Sequence, residues 1–148
     1  MALGSADDDR SRLLPVISTL PVGGGTPRRI TALAPSYWHG WSPDGQTLAF
    51  VAGRAAHADY KIYNLDLHTL QERQLSFGPG LDDGPDYSPC GRFIYFNAHQ
   101  KGRMQIWRMD ADGSHPQQMV HSSGSDWFPH PSPDGKGVLA IQRGIEVG

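Results

Sequence analysis

One cysteine, Cys90, stands in a chain of 148 residues, so no internal disulfide can form. Net charge is also scarce. Lys and Arg total 13 against 15 Asp and Glu, a formal charge of −2, which leaves no basic footprint for nucleic acid or an anionic membrane. No apolar run reaches the length needed to span a bilayer. Nor does any stretch combine a helical hydrophobic period with helix caps, which points to an all-β chain. The N-terminal stretch lacks the apolar core of a secretory signal, and its acidic run Asp7-Asp8-Asp9 reads as part of a solvated, disordered tail over residues 1–11. A Gly-x-Ser-x-Gly elbow is missing, and Gly23-Gly24-Gly25 reads as a hairpin turn rather than a phosphate loop. What the chain does have is turn formers: 18 Gly and 12 Pro.

These turn formers recur in a pattern. Ser42-Pro43-Asp44-Gly45, Ser88-Pro89-Cys90-Gly91 and Ser132-Pro133-Asp134-Gly135 follow one another at a period of about 45 residues. Proline pre-sets φ at the second turn position, glycine accepts the left-handed closing position, and the serine hydroxyl can bond a nearby amide. A serine used in this way is a capping group rather than a nucleophile, so no catalytic residue is expected. Strand-like runs flank each motif: Thr47-Leu48-Ala49-Phe50-Val51, Phe93-Ile94-Tyr95-Phe96 and Val138-Leu139-Ala140-Ile141. Each full repeat has room for a second hairpin. Tyr60 to Leu65 returns through Glu72 to Leu75, and Gln105 to Met109 turns at Asp110-Ala111-Asp112-Gly113 and returns through Gln117 to Val120. Four antiparallel strands in about 45 residues is the unit of a β-propeller blade.

An aromatic residue before Ser-Pro-Asp-Gly, an apolar strand, then an Ile-aromatic strand with an Asp-x-Asp-Gly turn resembles the WD-repeat-like propeller repeat of TolB-type proteins. Trp41 to Phe50 and Ile106 to Gly113 carry the resemblance most closely, and it extends over residues 12–141. Two departures are local: Cys90 replaces the turn aspartate, and Pro131 replaces the aromatic before Ser132. The resemblance implies a β-propeller but not one chemistry. Similar repeats occur in TolB, in prolyl-oligopeptidase-like and tricorn-like peptidases and in some polysaccharide lyases. For TolB-type proteins it implies a periplasmic, bacterial envelope setting.

The phase of the strands gives a half blade over residues 12–31, whole blades over 36–76 and 82–120, and a complementary half blade over 126–142. Three blades' worth of strands cannot close a ring of four to eight blades, and exposed strand edges invite pairing. Head-to-tail homodimerisation would complete both split blades and give six. A piece of a longer propeller and an engineered half are the alternatives.

Residues at equivalent positions around a propeller converge on its channel. The candidates for a channel-mouth binding site are Trp38, His39, Asp82, Asp83, Asp86, His121, Asp126, Trp127 and His130. They fall in or near the loops 34–39, 78–86 and 121–130. Their spacing fits no metal template, so neither a metal site nor a cofactor is expected. The functional expectation is a non-enzymatic scaffold for a protein or peptide partner. Trp38, Trp41, Tyr87, Trp107 and Trp127 read first as blade-packing aromatics, with Trp38 and Trp127 the ones placed to anchor a partner or stack on a sugar instead. The rival reading is a metal-dependent oligosaccharide lyase using the channel histidines, or a propeller domain whose peptidase domain lies elsewhere.

Overall fold

The computed structural model describes residues 14–56 and 58–144; the acidic run Asp7–Asp9 and the start of the first expected half blade lie outside them. Among the described residues there is no helix. The described residues hold twelve strands in chain order: β1 (Ser18–Thr19), β2 (Arg28–Arg29), β3 (Ser36–Trp41), β4 (Thr47–Ala52), β5 (Lys61–Asp66), β6 (Glu72–Gln74), β7 (Asp82–Tyr87), β8 (Phe93–Gln100), β9 (Arg103–Asp110), β10 (Gln117–Gln118), β11 (Ser125–Pro131) and β12 (Val138–Arg143). They form a two-stranded sheet β1-β2, a four-stranded sheet β3-β4-β5-β6, a four-stranded sheet β7-β8-β9-β10 and a two-stranded sheet β11-β12. Every pairing among the described strands is antiparallel and joins strands consecutive in the chain.

The repeated turn explains why each inner hairpin forms. In the first copy the Ser42 hydroxyl donates to Asp44 Oδ1 at 2.6 Å and accepts from Thr47 N at 2.9 Å. Asp44 Oδ1 also accepts from Gln46 N at 3.0 Å, and Gly45 closes the turn at φ 69°. Ser132, Asp134 and Lys136 repeat the same contacts at 2.6 and 3.1 Å. The two carboxyls are held below the ordinary aspartate range, first by the serine hydroxyl and then by the amide two residues on. In the middle copy Cys90 Sγ lies 3.3 Å from Ser88 Oγ, a weaker substitute for the carboxylate.

Strand β4 shows why the sheets stack. Its alternating side chains are buried on both faces: Leu48, Phe50 and Ala52 pack with Ile17, Ile30 and Leu65 towards β1-β2. Ala49 and Val51 pack on the other face with Ile62, Leu75, Ile94, Phe96 and Met109, joining the first four-stranded sheet to the second. The inner strands lie side by side, β3 against β7 and β7 against β11. The end sheet β1-β2 pairs over two residues only, shorter than the strand-like runs around it suggest. A further backbone bond extends it, from Ile30 N to Ile17 O at 2.9 Å, and one from Ser36 N to Pro15 O at 2.8 Å ties it to the start of β3.

Candidate functional site

Each inner strand carries a bulge at the same phase of the repeat. The register slips between Tyr37 and His39 in β3, between Asp83 and Asp86 in β7, and between Trp127 and His130 in β11. At the three bulges Trp38, Gly84 and Phe128 take left-handed backbone conformations, with φ of 48°, 58° and 53°. Glycine adopts such angles freely, but for the two bulky aromatics they are strained by about 1–3 kcal/mol each. Bulges of this kind re-aim a side chain out of the sheet's ordinary alternation.

The re-aimed side chains meet. Trp38 and Phe128 stack with ring centroids 4.3 Å apart and planes 19° from parallel, although their strands flank β7 on opposite sides. Gly84 makes the stack possible. A Cβ there would lie 2.9 Å from Phe128 Cδ1 and 2.7 Å from Asn97 Oδ1. Asn97, fully buried on β8, accepts from Phe128 N at 3.0 Å and so holds the bulge from behind. Trp127 joins the cluster, its ring centroid 5.8 Å from that of Phe128. Trp38 remains about half exposed, at 48 %.

Beside the aromatics, His130 Nδ1 lies 2.5 Å from Asp86 Oδ2, bridging β11 and β7. Asp86 is seated where Gly40 leaves room, because a Cβ on Gly40 would lie 3.0 Å from Asp86 Oδ1. Asp83 is half-buried and its carboxyl is pushed up by burial against a 2.8 Å bond from Gly84 N. Burial, with Asp83 as the next cause, pushes the Tyr37 phenol up to about 12. His39 is exposed on β3.

Three of the sequence candidates occupy other surroundings. Asp82 is buried and takes a 3.0 Å ion pair from Lys61 Nζ. Burial raises its carboxyl more than bonds to Ser76 and Lys61 lower it. Asp126, 1 % exposed, accepts from Ser122 Oγ at 2.5 Å and from Gln142 Nε2 at 2.8 Å. Both carboxylates are engaged in contacts within and between the sheets. His121 lines a polar cleft with Gln100, Lys101, Arg103, Gln105, Gln118 and Ser122, apart from the His130–Asp86 pair. Phe128 and Gly84 are missing from the sequence candidates, yet each lies four residues ahead of its turn serine, in phase with Trp38. Among the described residues, no three His, Cys, Asp or Glu side chains converge as metal ligands.

Antiparallel sheets stacked face on face, with their first strands converging on one line, define a β-propeller. Residues 27–146 match the TolB beta propeller domain, and the chain belongs to that family. An uncharacterized protein of Agrobacterium fabrum is 48 % identical over 131 residues, covering 88 % of this chain and 44 % of the relative. The structure of a TolB candidate from Agrobacterium tumefaciens superposes with a TM-score of 0.83 at 47 % identity, covering 89 % of this chain and 47 % of that one. TolB from Acinetobacter baumannii gives 0.77 at 25 % identity, over 88 % of this chain and 32 % of its own length. The chain therefore spans less than half the length of each of these relatives.

Proposed function

We propose that this chain is a non-enzymatic propeller scaffold whose channel mouth binds a protein or peptide partner. The observation that carries this reading is the Trp38–Phe128 stack, a half-exposed aromatic platform held by strained bulges and a buried asparagine. Partner anchors are typically rigid aromatics set among polar groups, here His39, Asp83, Asp86 and His130. Strain retained at two equivalent positions of one surface, Trp38 and Phe128, also favours a role in binding. Peptides selected from a displayed library against the folded protein test it. Selected peptides should bind Trp38→Ala and Phe128→Ala at least about tenfold more weakly, while Phe77→Ser, on another surface, leaves them unchanged. Undiminished binding to both channel variants overturns the reading.

The ring around this channel is completed, in this proposal, by a second copy placed head to tail. The outer strand β12 is exposed along its whole length and, among the described residues, paired only to β11. It presents Leu139 at 74 % and Ile141 at 61 % exposure. At the other end β1 pairs, among the described residues, only with β2, and Leu20, Val22 and Leu33 are exposed nearby. Joining β12 of one copy to β1 of the other makes a composite four-stranded sheet twice over, related by a two-fold axis.

A further inference from the structure

Two of the three inter-sheet crevices among the described residues, those on either side of the first four-stranded sheet, can be compared position by position. Phe50 pairs with Tyr63 in the first four-stranded sheet as Phe96 pairs with Trp107 in the second. Thr31 accepts from Ile17 N at 2.9 Å, just as Ser76 accepts from Ile62 N at 2.9 Å. The outer mouth of the first crevice is plugged by Arg54. Its guanidinium lies 5.7 Å from the Phe50 ring and 5.3 Å from the Tyr63 ring. It donates to Pro35 O at 2.7 Å, Ser36 Oγ at 2.8 Å and Glu72 Oε2 at 2.9 Å.

The second crevice lacks both halves of that plug. Gln100 stands four residues after Phe96, where Arg54 stands after Phe50, and Pro116 takes the place of Glu72 opposite the middle strand. Lys61 reaches in from the facing sheet instead and satisfies Asp82 at 3.0 Å and Gly80 O at 2.5 Å. The volume that Arg54 and Glu72 fill in the first crevice stays open as a cleft of about 520 Å³, lined by Leu75, Phe77, Phe96, Trp107, Met109 and Pro116. Its size and its apolar walls with a few polar rim groups are those of small-molecule sites.

We propose that this cleft binds a neutral, flat, ring-bearing small molecule. The walls supply aromatic and aliphatic faces for a ring system. A cationic guest is disfavoured by Lys61 behind Asp82 and by Lys101 at the rim. An anionic guest must enter an apolar slot floored by the Asp82 carboxylate. Gln100 at the rim offers a donor and an acceptor to one polar substituent. The site lies in an outer inter-sheet crevice, and it stands independently of the channel reading.

Indole, titrated into the full chain and followed by ¹H–¹⁵N NMR, is the probe. Saturable shifts of the Trp107 indole N–H and of the Phe77 and Met109 amides are expected, unchanged by Trp38→Ala. The double variant Gln100→Arg/Pro116→Glu copies the plug of the first crevice and should weaken indole at least about tenfold. Ala98→Met, which fills the cleft from β8, should do the same if the double variant does not fold. Absence of saturable shifts, equal affinity in a folded cleft-filled variant, or loss of binding on Trp38→Ala overturns the proposal.

Discussion

Trp38 and Phe128 stack at 4.3 Å across Gly84, three left-handed residues from three adjacent inner strands forming one surface. The missing side chain at Gly84 is as much a part of this surface as the two rings. Gly84→Ala introduces a methyl group 2.7 Å from Asn97 Oδ1, at a backbone angle that alanine resists. A loss of about 1–3 kcal/mol in stability, measured by urea denaturation, is expected, with loss of the upfield ring-current shifts of the stacked pair. Wild-type stability with unchanged shifts would refute the role given to Gly84.

Lys61 and Asp82 form a buried ion pair, and removing the cation strands the carboxylate. Lys61→Met should cost about 3–5 kcal/mol at neutral pH. Asp82 already titrates above the ordinary range because of burial, and without Lys61 it moves higher still. A carboxyl whose folded pKa is raised takes up protons more readily in the folded state, so stability falls as pH rises through the folded value. The deficit of the variant should therefore shrink as pH is lowered from 8 towards 4, as followed by thermal melting. A deficit independent of pH would contradict this.

Cys90 occupies the position where Asp44 and Asp134 bind both the serine hydroxyl and the amide two residues on. Cys90→Asp restores that pattern at Ser88 and Arg92 and should raise the melting temperature. The wild-type thiol, lowered chiefly by Ser88 and then by the Arg92 amide, should alkylate faster in the native chain than after Ser88→Ala. A lower melting temperature for Cys90→Asp would show that the second turn differs from its sisters.

The turns and the strands β4 and β8 are legible in the sequence because local chemistry fixes them. Ser-Pro-Asp-Gly can satisfy its own hydrogen bonds, and the β-branched and aromatic runs after it suit a sheet buried on both faces. The bulges are not legible by residue preference, since tryptophan and phenylalanine avoid left-handed angles and only their phase with Gly84 marks them. The burial of Asp82 and Asp126 was hidden for another reason. Their partners, Lys61 and Gln142, come from strands at other positions in the repeat, so an acidic residue near a loop reads as exposed. Trp41, which reads as a blade-packing aromatic, is half exposed at 51 %, while Tyr87 at the equivalent position is buried. The difference arises because Tyr87 has the neighbouring sheet beside it, where its hydroxyl lies 3.1 Å from Thr47 Oγ1.

In the proposed assembly a second copy closes the ring around the channel surface. Sedimentation equilibrium of the 148-residue chain at micromolar concentration is the direct test. Head-to-tail completion predicts a particle of twice 16.2 kDa, reduced to a single chain by Leu139→Asp with Ile141→Asp. A wild-type mass of one chain, with a folded β-sheet spectrum, would contradict it.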